Sequence, residues 1–270
     1  MPADKPSIAW QPFTPRGVAA FASASAGRLL AVQVFFGLVA AASVIWFLDA
    51  NWFPVINKAI HQLPGQGMCR RGRLEWYAAT PMRLAEGRFL ALAVDLRHEG
   101  LARTPSDLYL ELGETDVQIF SLLGFVRFQY PVGWVVAVNQ PDTGPWWGAW
   151  SAPLLVISGM AVVGMLMVMW SVLATIYFLP VSLAGFFMDR DLSLGGAWRL
   201  SGAALMVGAL FLTASIVLYG LGVLDIVLLG IAVGCHILVG WFYLVAGLLA
   251  VPLHPAAAAA RGNPFNSPKH

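Results

Sequence analysis

The chain has 270 residues, 59% hydrophobic and only 11% charged, which excludes an ordinary soluble globule, where the shares run near about 45–50% and about 25%. A net charge of +2 with no Lys/Arg-rich run excludes an electrostatic nucleic-acid binder. Two cysteines, Cys69 in the most charged part of the chain and Cys235 in an apolar run, give neither a disulfide framework nor a Cys-based metal motif.

Four stretches lack Asp, Glu, Lys and Arg altogether: residues 29–48, 143–188, 200–224 and 226–260. Each holds the roughly 20 apolar residues that cross a bilayer, and a Lys, Arg or Asp at mid-membrane costs about 2.5–3.5 kcal/mol on insertion scales. The sequence therefore predicts an α-helical integral membrane protein with four transmembrane helices plus a small antiparallel β extracytoplasmic domain.

In chain order, residues 1–28 form an arm. Its alanine-rich part, with Phe13, Val18 and Phe21, reads as a short helix on the inner leaflet or as a flexible leader. Residues 29–49 are the first span. Ala40, Ala41 and Ala42 offer a signal-cleavage site, but the apolar run continues through Val44, Ile45, Trp46, Phe47 and Leu48, which favours an uncleaved signal anchor. Residues 50–148 are the charged block, and 149–181 the second span, with Pro153 in its first turn and Pro180 ending or kinking it. Residues 182–199 read as a cytoplasmic loop whose apolar part, Leu183 to Met188, forms an interfacial elbow. The third span is 200–221. Gly220 and Gly222 then turn the chain into the fourth, 222–252, which Pro252 and Pro255 close ahead of a tail, 253–270.

Lys5, Arg16 and Arg28 in the arm, Arg190 and Arg199 in the loop, and Arg261 and Lys269 in the tail lie on one side of such a topology. The positive-inside rule makes that side cytoplasmic, and a block longer than about 60 residues translocates whatever its charge. Trp46, Trp52, Trp146, Trp147 and Trp150 then fall at the outer interface and Trp198 at the inner one. Scarce Lys with abundant Ala, Gly and Arg is the coding bias of a GC-rich bacterium, so the expected location is the cytoplasmic (inner) membrane, multi-pass, with both termini cytoplasmic.

Within the block the periodicity is two. Leu108, Leu110 and Leu112 alternate with Tyr109 and Glu111; Val117 and Ile119 with Gln118 and Phe120; Val126, Phe128 and Tyr130 with Arg127 and Gln129. Turns at 113–116 and 123–124 separate them, which predicts an antiparallel meander with one buried and one wet face. Further strands are expected at 73–78, at 89–97 and, unless the chain returns to the membrane there, at 134–138. Arg70, Arg71 and Arg73 are candidates for contact with a lipid headgroup or partner, or they guard an exposed strand edge. Asp95, His98 and Glu99 read as a polar turn; a single His is a poor match to a metal or acid/base site. No G-x-S-x-G, H-E-x-x-H or phosphate-binding loop occurs, so no catalytic, cofactor or metal residue is assigned and no enzyme is expected.

In the spans, His236 is the deep ionisable side chain. At 100° per residue, Asp225, His236, Gly240, Tyr243 and Gly247 share one stripe, facing Ser201, Gly208, Ser215 and Tyr219 of the third span or Ser171 and Thr175 of the second. The candidate intramembrane polar face is thus His236, Tyr243, Asp225 and Ser215, either a pathway or a set of interhelical hydrogen bonds. Gly230 with Gly234, and Gly37 with Ala41, have the spacing of close helix packing, within the chain or between copies. Met160, Met165, Met167 and Met169 read as packing or lipid-facing residues.

The arm from Phe13 to Leu30, Leu63 with Pro64, the strand from Phe89 to Asp95, and the loop-to-helix segment from Leu192 to Leu205 follow a recognisable order of parts. That order resembles a family of uncharacterised bacterial integral membrane proteins, distantly Yip-type: a cytoplasmic arm, a signal anchor, an outer β domain and a C-terminal helical bundle. The resemblance implies no catalytic residue, and this chain is one C-terminal helix shorter than many such proteins. The expected function is a non-enzymatic accessory or assembly subunit whose outer domain binds a partner protein or envelope component. The alternative is an oligomeric transporter or lipid-handling protein using the polar face of the last helix. Expected partners are the bilayer and other membrane subunits or further copies, and no nucleic acid.

Overall fold

A computed structural model describes residues 10–261, so Lys5, Lys269 and the tail from 262 on lie outside the described residues. The chain is mainly helical, with four helices long and apolar enough to cross a membrane and a β region between the first and second of them. It divides into two compact units. One takes in residues up to Ala42, Met160–Ile216 and from Leu228 on; the other takes in Ser43–Gly159 and Val217–Val227.

The first unit holds most of the helical residues. Helix α1 (Pro15–Ala20) starts at Thr14, whose Oγ1 accepts the Gly17 N–H at 3.0 Å, and runs through a 3₁₀ turn toward α2 (Ala26–Phe47). The arm does form a short helix, and its apolar side chains pack into the unit. Val18 and Phe21 are fully buried, and the Arg199 guanidinium donates to the carbonyls of Phe21 (3.4 Å) and Ala22 (2.7 Å). The sequence concealed this because alanine repeats with three large apolar residues suit a membrane surface and a packed helix end equally well.

Helix α4 (Gln140–Phe187) is 48 residues long. It begins where Asn139 caps it, the side-chain Oδ1 accepting the Asp142 N–H at 2.9 Å, with Pro141 in the first turn, where a missing N–H costs nothing. Pro180 does not end it. The helix continues to Phe187, so the interfacial elbow expected at Leu183 to Met188 is instead its final turns, with Asp189 at φ 54° just beyond. Helix α5 (Leu194–Gly220) is central: half of its most apolar window is buried, against 6% for α4 and 11% for α6 (Ile226–Ala250).

The second unit holds the sheets. A π-helical turn, Leu48–Trp52, joins α2 to α3 (Phe53–His61), which carries Pro54 at its start and buries Ala59 and Ile60. Eight strands follow: β1 (Gly67–Arg70), β2 (Arg73–Trp76), β3 (Met82–Glu86), β4 (Leu90–Val94), β5 (Leu108–Leu112), β6 (Asp116–Ser121), β7 (Gly124–Gln129) and β8 (Val135–Ala137). They form a three-stranded sheet in the order β2-β1-β8 and a five-stranded sheet in the order β3-β4-β5-β6-β7. Arg71 (φ 51°) and Gly72 (φ 75°) make the two-residue β1–β2 turn, both left-handed as a primed hairpin turn requires.

The expected meander is correct from β5 to β7, but β4 pairs with β5 in parallel. A parallel pair needs a crossover of a dozen or so residues, and here it is the segment 95–107. That segment has to lie across one face of the sheet, and this decides what is buried.

Candidate functional site

Side chains alternate along β5, so Tyr109 and Glu111 share one face and the three leucines the other. Registers with β4, β6 and β7 place Ala91, Ala93, Asp116, Gln118, Phe120 and Arg127 on the face of Tyr109 and Glu111. This face, polar in sequence and expected to be wet, is the more deeply buried one. Glu111 is fully buried, Tyr109, Asp116 and Gln118 nearly so, while Leu108, Leu110 and Leu112 are only half-buried. The crossover covers it with His98, Ala102 and Arg103.

Asp95 shapes the crossover, accepting the backbone N–H groups of Arg97 (3.3 Å) and Gly100 (2.8 Å), and His98 adopts φ 57° in the resulting turn. The imidazole then sits between two buried carboxylates, Nδ1 at 2.5 Å from Glu111 Oε1 and Nε2 at 2.8 Å from Asp116 Oδ1. Arg127 Nε lies 3.3 Å from Asp116 Oδ2, and Arg103 Nε lies 4.0 Å from Glu111 Oε2. His98 therefore meets neither the Asp95 nor the Glu99 carboxylate that flank it in sequence; its partners are 13 and 18 residues away. Each nitrogen-to-carboxylate contact needs a hydrogen, and both ring nitrogens are engaged. The cluster locks the crossover onto the sheet. Among the described residues no group of three His, Cys, Asp or Glu is arranged to hold a metal ion.

Beside this lock opens a cavity of about 290 Å³. Arg103, Thr104, Ser106, Asp107 and Tyr109 give it a polar side, and Phe120, Leu122 and Ile226 an apolar one. The Arg103 guanidinium stacks 4.4 Å from the Phe120 ring centroid. The Tyr109 hydroxyl is sealed from solvent, and burial first, then the Glu111 charge and a hydrogen bond to the Glu111 carboxylate, push its pKa well above the usual tyrosine value. Asp107 is fixed by the Tyr219 hydroxyl, which donates to Oδ2 at 2.7 Å, while the Tyr219 ring packs against Phe47 and Phe89. Arg88 reaches the same turn, donating to the carbonyls of Gly222 and Leu224 at 2.9 Å each.

The arginines singled out by sequence do not converge. Arg70 bonds Glu75 at 2.6 Å, which raises its pKa, Arg73 bonds Glu114 at 3.3 Å, and Arg71 is exposed in the hairpin turn. The intramembrane candidates are likewise separate. His236 is half-buried, its Nδ1 against the Val233 carbonyl of its own helix. Tyr243 donates to the Phe13 carbonyl (3.0 Å), and Ser215, buried, to the Phe211 carbonyl (2.9 Å). Asp225 stands immediately before α6. The backbones of α5 and α6 do meet at His236: a Cβ on Gly208 would lie 2.4 Å from the His236 carbonyl oxygen. Gly37 packs on Val163 and Ala41 is buried, but Gly230 and Gly234 meet no other element among the described residues.

Sequence reasoning missed the group of Glu111, Asp116, Tyr109 and Arg103 because it placed Tyr109 and Glu111 on the wet face of a strand, put Asp116 in a turn and gave Arg103 no element. It also passed over Gln33, the lone amide in α2, now buried with Nε2 3.5 Å from the Gly202 carbonyl. Its presence in an otherwise apolar run was the available signal. Comparison with family models, curated proteins and solved structures returned no match.

Proposed function

We propose that the chain is a non-enzymatic multi-pass protein of a bacterial cytoplasmic membrane, an accessory or assembly subunit whose β domain faces outward and takes up an extended segment of a partner protein along β7. One observation carries this reading. β7 is the edge of the five-stranded sheet and every one of its residues is exposed, with Phe125 at 61%, Val126 at 56% and Phe128 at 56%. Edge strands are ordinarily blunted by lysine, proline, a bulge or a covering element, because unpaired N–H and C=O groups template strand addition. β7 has no proline or lysine, and its single charge, Arg127, is tied inward to Asp116. An apolar, unguarded edge supplies main-chain hydrogen bonds for affinity and alternate side chains for specificity.

The experiment places a photo-crosslinking phenylalanine analogue at Phe128 in intact cells and identifies the adduct peptide by mass spectrometry. The expected product is one protein joined through an extended apolar segment, and Arg127→Pro, which removes an edge N–H, abolishes it. Adducts to lipid alone, to a second copy alone, or unchanged by Arg127→Pro would overturn the reading.

A further inference from the structure

One row of residues crosses the five-stranded sheet at the end where β5 begins. The Arg88 carbonyl accepts the Asp107 N–H at 3.1 Å and the Phe89 carbonyl the Leu108 N–H at 3.2 Å, while Leu108 lies opposite Ser121 and Ser121 opposite Gly124. Within the same unit this row is clamped to the turn between α5 and α6: Arg88 donates to the carbonyls of Gly222 and Leu224, and the Tyr219 hydroxyl to Asp107. The two-residue β6–β7 turn, Leu122 and Leu123, ends the row, and Leu122 lines one cavity with Ile226, the first residue of α6.

The composition of that turn is at odds with exposure to water. Tight turns favour Gly, Asn, Asp and Ser, whereas this tip presents two leucines, Leu122 58% and Leu123 97% exposed, with exposed Phe125 just beyond. Leu221 and Val223, in the turn to which the row is clamped, are exposed as well. Large apolar side chains gathered at one end of a domain mark an interaction surface. Ser121 Oγ accepts the Leu123 N–H at 3.3 Å, so the tip carries its own hydrogen bond into a less polar layer. An apolar helix of 25 residues that crosses a bilayer has its first residue at the interface, and the tip beside Ile226 shares that depth.

We propose that the β6–β7 tip is a membrane-dipping wedge, with Leu122 and Leu123 seated among the glycerol groups and first acyl carbons of the adjoining leaflet. Its partner is the lipid itself, and the wedge holds the β domain end-on to the bilayer. The assignment rests on the reading that α6 spans the membrane. It leaves the β7 edge open, because Phe128 pairs with Val117 toward the other end of the sheet.

The test uses the full chain in a Cys235→Ala background, reconstituted into phosphatidylcholine vesicles with or without bromine on the acyl chains. Single cysteines at Leu122→Cys, Leu123→Cys, Glu114→Cys and Leu238→Cys carry an environment-sensitive fluorophore. Glu114 lies in the β5–β6 turn at the opposite end of the sheet, about 17 Å away along β6, and Leu238 is an exposed residue midway along α6. Probes at 122 and 123 should be blue-shifted and lose most of their fluorescence to brominated lipid, the probe at 238 likewise, and the probe at 114 should do neither. Two tip positions keep the result readable if one variant fails to fold. Quenching at 238 without quenching at either tip position, or equal quenching at the tip and at 114, would overturn the proposal while the membrane reading stands. A probe at 238 that brominated lipid does not quench refutes the membrane reading itself, and the wedge with it.

Discussion

At the residue scale, the largest stake is His98, because two buried carboxylates depend on it. Gly113 sits against the ring: a Cβ there would lie 2.2 Å from His98 Nε2. Gly113→Ala should therefore displace the imidazole and cost about 1–3 kcal/mol, the scale of buried hydrogen-bonding groups left without a partner. Denaturant unfolding of the purified protein checks it, and a change below about 1 kcal/mol, the scale of an exposed pair, would show that Glu111 and Asp116 do not need the ring. Three other groups set the alkaline limit. Burial raises the pKa of the Cys69 thiol and of the Tyr109 and Tyr130 phenols above their ordinary values of 9.0, 10.0 and 10.0. Each is held neutral in the fold and ionises more readily when unfolded, so its contribution is complete below pH about 9 and is lost as pH rises toward the folded values. Thermal midpoints should fall between pH 9 and 11, roughly, while a Cys69→Ala, Tyr130→Phe double variant should show a shallower fall. Identical pH profiles for the two proteins would refute this assignment.

At the element scale, the glycines of the long helices separate into two kinds. Gly208 lies where α5 and α6 touch backbone to backbone, and Gly234 faces open space. Gly208→Ala should lower the unfolding midpoint in detergent, because a Cβ 2.4 Å from the His236 carbonyl forces the helices apart. Gly234→Ala should leave it unchanged or raise it slightly, since alanine is favoured over glycine in a helix by about 1 kcal/mol. The opposite ranking would place the packing seam on the other side of α6. The same contrast governs the strands. Alternation identified β5, β6 and β7 and both intervening turns, but alternation alone does not say which face is covered. The short strands β1 and β3 and helix α3 escaped notice because four, five and nine residues are too few to impose a period on a mixed sequence.

At the scale of the whole molecule, the proposed orientation is directly testable. Leu101 is 72% exposed and lies in the crossover, and the native Cys69 is buried. In intact cells, Leu101→Cys should react with a membrane-impermeant maleimide while Ser23→Cys, in the arm, should react only after lysis. The reverse pattern would put the β domain in the cytoplasm and invert the topology. What the sequence determined by itself was the number of apolar helices and the block of strands between them, because both follow from local composition: the bilayer excludes charge and a strand alternates. The end of the second span, expected near residue 181, proved later, since α4 runs on to Phe187. Tertiary structure alone decided the parallel pairing of β4 with β5, and with it the burial of Glu111 and Asp116 around His98, the cavity at Arg103, and the open edge at β7. These depend on which segment crosses which face of a sheet, a choice made by long-range chain closure that no local period encodes.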